Sequence, residues 1–380
     1  MQNLHKLFQN NLNQDSLLKK LDIQQNDKNS LSDARKKIRA HLRSGVAKIT
    51  EKMMGKNKKV FPKFFTQGSW SYKTLNDPAI EPPQEIDLDD GVYLPMSLIN
   101  ESPPTTACNA FFQIMDSLLA ELVLKNKEWE LVKDKKTCCR IKINNKSHVD
   151  LPLYAIPDDE FIALSEKAAL RGYGSITEAA MIFDSYDWLQ LPSDKIWLAI
   201  RDGNWEQSDP RKVDSWVKQQ KNIFGQQYID ICRYLKAWRD NQWETDGPSS
   251  ILLMVCISQS FEKNQNRDDL TLLKVAEKLV IQLINEVSAP FIETDKSLNH
   301  LQGEERKLAS KKAEKLYVSL NKAVYETSDK DVVLDLVANE FGSRIPRDHP
   351  LIVTYSAADV VRSYPKKVVP APAIKKVKAG

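Results

Sequence analysis

Apolar positions recur along this chain at two periods, and the changes of period fall at recognisable punctuation. Ile38, Leu42, Val46, Ile49 and Met53 stand at helical spacing. Ser30 and Asp33 resemble a capping box before them and Gly55 is placed to end the run, so a long helix is expected after Ser30, reaching about Met54. Ala107, Phe111, Met115, Leu118 and Leu122 repeat the pattern over Thr105–Lys125. The period drops to two at Ile86-Asp87-Leu88-Asp89 and again at Val149-Asp150-Leu151, which predicts strands with one buried and one polar face. Lys136–Ile143 and Ser147–Ile156 read as two strands of a hairpin turning at Asn144-Asn145-Lys146. Residues 157–210 are irregular and end at the turn signal Asp209-Pro210.

From Pro210 onward the pattern is nearly all helical. Gln226–Gln242 is its clearest helix, with Ile229, Cys232 and Leu235 inward and Arg233, Lys236 and Arg239 on other sides. Another helix starts at Gly247-Pro248-Ser249-Ser250, and more are expected near 268–287, 304–326 and 329–341. The fold class is therefore α+β, in two lobes. The expected divisions are a polar N-terminal segment 1–29, a mixed α/β core 30–209, a helical domain 210–362 and a disordered tail 363–380.

Composition narrows this picture only slightly. The 380 residues carry 55 basic and 51 acidic side chains, a net charge of +4, which gives no reason to expect an obligate nucleic-acid partner. No apolar run is expected to reach the ~20 residues of a membrane span, and the N-terminus lacks a secretory pattern, so a cytoplasmic protein with no membrane partner is expected. The five cysteines form no C-x-x-C or Cys/His cluster, so a zinc site of the usual spacing is not expected.

The chemistry concentrates between Gln67 and Tyr93. Asp87 and Asp89 project from one strand face, and Asp150 leaves a second strand opposite its apolar neighbours. Such an acidic pair alone is most often a solvated strand face. Three carboxylates on a common sheet suit hard divalent cations and phosphoryl transfer. The Gly68-Ser69 turn upstream adds backbone N–H groups and a hydroxyl able to approach a phosphate.

The order Gly-Ser, then h-D-h-D, then a distant h-D-h resembles the polymerase-β-type nucleotidyltransferases. The wording TQGSWSYKTLN, QEIDLDDGVYLPM, HVDLPLYAIP, RYLKAWRDNQW and GPSSILLM is similar, in blocks from about Arg35 to Arg344, to bacterial cyclic-dinucleotide synthases of the DncV type, relatives of the animal cyclic GMP-AMP synthases. The resemblance implies a bilobal nucleotidyltransferase with a mixed-sheet catalytic core, a long N-terminal helix and a helical C-terminal lobe. It implies that Asp87, Asp89 and Asp150 hold two Mg²⁺ ions, with Mn²⁺ able to substitute, and that Asp150 lies nearest the attacking ribose hydroxyl. Gly68, Ser69, Lys236 and Ser250 would bind phosphates, Gln67 would belong to the same nucleotide site, Tyr72 would stack on a base, and Ser208, Asp209 and Asp295 would contact bases. Arg140, exposed on the hairpin, is either a solubilising residue or one that reaches a triphosphate or ribose.

By the same resemblance the reaction joins ATP and GTP through a linear intermediate into a cyclic dinucleotide, 3′,3′-cyclic GMP-AMP first, in bacterial anti-phage signalling. The alternatives are a linear oligonucleotide or RNA-directed transferase, and a non-catalytic nucleotide-binding scaffold. Arg35, Arg39 and Arg43 follow one helix face; with Lys63 they form either a solvated edge or a pocket for a polyanionic, folate-like regulator. The tail PKKVVPAPAIKKVKAG is either a solubilising end or, as in similar enzymes, a substrate for E1/E2-type partners that conjugate Gly380.

Overall fold

The computed structural model describes residues 1–10, 15–54, 59–98, 104–162, 193–292 and 296–355. The first half of the fold is built on a seven-stranded mixed sheet. Its strands are β2 (Lys63–Gln67), β3 (Ile86–Pro95), β4 (Glu130–Val132), β5 (Cys138–Lys142), β6 (Ser147–Ile156), β7 (Trp197–Ala199) and β8 (Trp205–Gln207), β1 being a separate N-terminal strand, Gln2–Asn3. The order is β2-β3-β6-β5-β4, with β7 added beside β6 and β8 beside β7. β3 and β6 run parallel; the expected hairpin of β5 and β6 is antiparallel.

One face of this sheet is apolar and covered. Leu88, Val149, Leu151, Leu153 and Ile141 join Ile38, Leu42, Phe111 and Met115 in a single core. The last four come from α3 (Gln25–Met54) and α5 (Pro104–Leu124); the short helices α1 (His5–Phe8) and α2 (Leu17–Lys20) precede α3, and α4 (Gly68–Tyr72) lies between α3 and α5. α3 starts before the Ser30 signal: burial of Ile23 and Leu31 in this core extends the helix beyond the local cap. α5 corrects the membrane reading, since it is long and apolar enough to cross a bilayer. Its apolar face is instead buried, with Cys108, Met115 and Leu119 at 0% exposure in the core.

The helical half holds α6 (Pro210–Phe224), α7 (Gln226–Gln242), α8 (Ser250–Ser260), α9 (Asp268–Gln282), α10 (Gly303–Asn321) and α11 (Lys330–Phe341). α9 ends before the expected 287, and α10 passes into a π turn, Lys322–Glu326. The N-terminal residues differ from a separate polar segment. Leu4, Leu7, Phe8, Leu17 and Leu21 are fully buried in the helical core, and the Phe8 ring lies 5.3 Å from Tyr234 and 5.6 Å from Phe341. β1 pairs with β9 (Val353–Thr354) at the far end of the chain. The sequence shows Leu4, Leu7 and Phe8 only as one short apolar repeat in an Asn/Gln-rich segment, with nothing to mark the core they join.

The halves are joined by polar contacts beside the open sheet face. Gln84 Nε2 donates to the carbonyls of Asp240 and Trp243, at 2.8 and 2.9 Å. Arg233 Nε donates to Asn76 Oδ1, and Ser71 Oγ to Asp214 Oδ1.

Candidate active site

On the open face of the sheet the strands place polar side chains in two cross-strand rows. Asp89, Asp150 and Arg140 form one; Asp87, His148 and Lys142 form the next, from β3, β6 and β5 in each case. This follows from the period of two: the apolar residues between them point into the core behind. Arg140 holds Asp150 by both oxygens, Nε to Oδ1 at 2.6 Å and Nη2 to Oδ2 at 2.7 Å. The exposed position expected for Arg140 is therefore half-buried, against a catalytic candidate rather than in solvent.

Asp89 stands under electrostatic strain. Burial, then the charges of Asp87 and Asp150, push its carboxyl well above the usual range, against the pull of Arg140 and Lys236. Hard oxygen donors crowded so that one resists ionising are a fit for a divalent cation: Asp87 and Asp89 would hold it, and Asp150 would join them once Arg140, which takes both its oxygens here, lets go. Bound there, such ions would lower the pKa of an attacking hydroxyl and offset triphosphate charge.

The Gly-Ser turn packs directly on these carboxylates. Gly68 has φ +67°, and a Cβ there would come 2.0 Å from Asp89 Oδ2, so both backbone conformation and space require glycine. Ser69 Oγ lies 3.4 Å from Asp87 Oδ1 as its donor. Gln67 is buried, its amide donating to the Tyr154 hydroxyl at 3.3 Å.

These groups line a cleft of about 580 Å³ between the halves. Gly68, Ser69, Tyr72, Asp87, Asp89 and Arg140 face it from the sheet side, and Lys236, Arg239 and Ser250 from the helices. Lys236 is buried, contrary to its expected polar side of α7; Nζ donates to the Thr74 carbonyl at 2.8 Å. Burial holds its ammonium below the usual lysine range, with Asp87 acting in the other direction. Ser249, not Ser250, caps α8, and Ser250 Oγ instead accepts from Arg239 Nη1 at 2.9 Å. Burial, then Asp214 and Asp89, push the Tyr72 hydroxyl up, so it stays neutral at the cleft wall.

Ser208 and Asp209 line a neighbouring cleft of about 650 Å³, which shares Phe291 with the first. The Asp209 carboxylate caps α6 by accepting from Arg211 N and is held by the Arg211 guanidinium at 2.8 and 2.7 Å. Asp295 and Gly380 lie outside the described residues.

The arginine row sits on the covered side of β3. Arg39 Nε donates to Asp90 Oδ2 at 2.6 Å, and Asp90 is fully buried, as its parity opposite Asp89 implies. Arg35 and Arg39 both donate to Thr66 Oγ1, at 3.1 and 2.9 Å. Arg43 is buried with its guanidinium 4.9 Å from the Phe64 ring centre, and Lys63 is buried beside Phe161. The exposed edge described by the simpler alternative is not what these side chains make.

Sequence reasoning missed Glu85, His148 and Gln84. Glu85 and His148 share the period of two with Asp87 and Asp150, a signal available in the chain. Burial pushes the Glu85 carboxyl up, but hydrogen bonds from Lys142 and His148 outweigh it and leave the net shift downward.

Comparison with known proteins agrees with this geometry. Residues 62–154 match the family "Cyclic GMP-AMP synthase DncV-like, nucleotidyltransferase domain", and residues 225–354 match "Cyclic GMP-AMP synthase, C-terminal domain". A cyclic GMP-AMP synthase of Escherichia coli is 34% identical over 315 residues, covering 78% of this chain and 70% of that protein. One from Vibrio cholerae is 35% identical over 311 residues, covering 77% and 70%. The structure of the V. cholerae dinucleotide cyclase DncV with GTP and 5MTHFGLU2 superimposes with a TM-score of 0.78 at 30% identity, over 93% of this chain and 100% of that one. The same cyclase with the linear intermediate 5′-pppA(3′,5′)pG gives 0.76 at 29% identity, over 94% and 99%. With the carboxylates, the Gly-Ser turn and both lobes in place, this chain is a nucleotidyltransferase belonging to the DncV-like cyclic GMP-AMP synthase family.

Proposed function

We propose that the chain condenses ATP and GTP, with Mg²⁺, into 3′,3′-cyclic GMP-AMP by two successive transfers at one site. The observation that carries this reading is the carboxylate set Asp87, Asp89 and Asp150 on one sheet face, with Asp87 and Asp89 lining a cleft of about 580 Å³ between the lobes. Gly68 and Ser69 hold the donor triphosphate, and Lys236, released from Thr74, adds charge from the helical side. Asp150 faces the 3′-hydroxyl of the acceptor, whose oxygen bonds to the α-phosphorus as pyrophosphate leaves. The product is a linear 5′-triphosphate, which turns over for the same chemistry to close the ring. The linear intermediate bound by the V. cholerae relative supports this order.

The setting is bacterial anti-phage signalling in the cytoplasm. The arginine row on α3 is the place for a polyanionic, folate-like regulator, supported by the relative that carries 5MTHFGLU2. Such a ligand would act on Arg39, whose partner Asp90 is the residue after Asp89. Gly380 would be conjugated by an E1/E2-type partner.

Incubation with all four NTPs and Mg²⁺, followed by phosphatase treatment and mass spectrometry, tests the reaction. A phosphatase-resistant cyclic GMP-AMP is expected. A phosphatase-sensitive linear product alone would mean an oligonucleotide synthase, and no nucleotidyl product would remove the reading.

A further inference from the structure

The short helix α4 stands between two clefts. Gly68, Ser69 and Tyr72 line the catalytic one, while Trp70 and the C-cap Lys73, three positions apart on another side, line a second cleft of about 360 Å³. Leu75 lines both, so one short segment divides them. The remaining walls of the second cleft are Asp22 and Ile23 ahead of α3, Lys28 in its first turn, and Arg233 of α7. The reaction described so far gives this cleft no part.

Its charges are not balanced. Arg233 Nη2 donates to Asp22 Oδ1 and Nε to Asn76 Oδ1, each at 3.0 Å, so that cation and that carboxylate match each other. The side chains of Lys28 and Lys73 make no hydrogen bond or ion pair among the described residues. An ammonium has three donors and no acceptor, so two of them around one concavity call for an anion of more than one charge. Trp70, Ile23 and Leu75 add an apolar wall with an indole in it, which suits a flat ring. A phosphate monoester of a nucleoside carries both features, its phosphate bearing about −1.5 to −2 at neutral pH. The volume is near the lower end of the roughly 300–1,000 Å³ of small-ligand sites, which suits one nucleotide rather than two.

The dividing segment couples the two clefts. Lys73 stands at φ +63° with its N–H on the Ser69 carbonyl, and the carbonyl of the next residue, Thr74, holds Lys236 Nζ at 2.8 Å. A ligand that ties Trp70 and Lys73 to Lys28 favours this arrangement, in which Lys236 is kept on Thr74 and away from a triphosphate.

We propose that the second cleft binds a nucleoside monophosphate, phosphate toward Lys28 and Lys73 and base against Trp70, and that occupancy inhibits the enzyme without competing with ATP or GTP. The inhibition rests on the nucleotidyl-transfer reading above; the binding does not.

The test has a binding arm and a rate arm, both on the full chain. Calorimetry with AMP and with GMP is run in Mg²⁺ and saturating non-hydrolysable ATP and GTP analogues, which fill the catalytic cleft. One nucleotide should still bind per chain, and adenosine or ribose 5-phosphate in place of AMP should bind about tenfold more weakly or less. K28E/K73E should weaken AMP about tenfold or more, and K28M/K73M, which keeps both stems without the charge, by a smaller factor. In initial-rate assays AMP should lower the maximal rate without raising the KM for ATP or GTP. Both double variants should keep their uninhibited rate within about twofold of wild type, which also reports their folding, and respond less to AMP. No binding once the catalytic cleft is filled, or equal binding in K28E/K73E and K28M/K73M, would overturn the site. Ribose 5-phosphate bound as tightly as AMP would overturn its assignment to nucleotides. Inhibition that ATP or GTP relieves, or binding with no inhibition, would overturn the coupling. Wild-type protein that binds AMP under these conditions but forms no nucleotidyl bond would remove the transfer reading and leave the site standing.

Discussion

Arg140 and Asp150 are direct cross-strand partners, and the guanidinium occupies both carboxylate oxygens, at 2.6 and 2.7 Å. Asp150 is thus held in one rotamer, but its charge is already matched before any cation arrives. The two roles pull against each other, and a substitution separates them.

R140Q should tighten metal binding while slowing turnover. Without the guanidinium, Asp150 lies partly buried beside Asp89 with no cation to balance it. The Mn²⁺ concentration that gives half of the maximal thermal shift, measured without nucleotide, should fall severalfold, on the order of one pKa unit of interaction. An unchanged or higher concentration would count against competition between Arg140 and metal.

D87N, D89N and D150N should each lower product formation about a thousandfold or more, with the fold retained. Asp89 adds a pH signature. Its folded pKa is raised, so its contribution to stability is present below the unfolded value and is lost as pH rises through the raised one. The metal-free chain should therefore melt at lower temperature as pH increases, and D89N should flatten that slope. A slope that persists in D89N would place its origin elsewhere.

The arginines of α3 are not equivalent. R39A would leave Asp90 buried and unpaired, at a cost of about 3–5 kcal/mol, and should be read as a stability variant. R35A loses one hydrogen bond to Thr66 and should leave basal synthesis within about twofold, while removing the response to a polyglutamylated folate. Dose–response curves with that ligand check it, and an unaltered curve would exclude Arg35 from the regulatory site.

Asp230 supplies a second pH test, in the helical lobe. Burial pushes its carboxyl up to about 6 despite a hydrogen bond from Gln226. Its contribution is present below about 4 and is lost as pH climbs through about 6. D230N should leave urea stability unchanged at pH 3.5 and raise it by on the order of 2 kcal/mol at pH 8. No gain at pH 8 would show that Asp230 is satisfied as an ion.

Co-expression with E1/E2-type partners should attach a group through Gly380 and raise synthase activity. Intact-mass and tryptic analysis read the attachment, and equal conjugation of G380E would refute the terminal-glycine requirement.

The sequence was most legible where local pattern and tertiary environment agree. Gln226–Gln242 and Ser147–Ile156 take the bounds their periods predict, because each buries the face its spacing marks. Asp87, Asp89 and Asp150 meet on one face because period two and parallel register leave no other arrangement. What was not legible depends on partners distant in sequence. Lys236 looks like a surface lysine until Thr74 closes over it, 162 residues away. Leu4, Leu7 and Phe8 look like one short apolar repeat until the groove they fill in the helical lobe is seen. Short strands such as Glu130–Val132 carry too few residues to show a period.

That groove has a consequence for how the protein can be divided. The region matched as a C-terminal domain begins at residue 225, yet Leu4, Leu7, Phe8, Leu17 and Leu21 complete its interior, and Tyr355 N donates to the Met1 carbonyl at 2.9 Å. A fragment cut at 225 would carry an open hydrophobic trench and an unpaired strand edge. The apparent module is not portable: its first segment is made before the catalytic sheet and its last after it, so the helical lobe is not complete until the whole described chain has been synthesised.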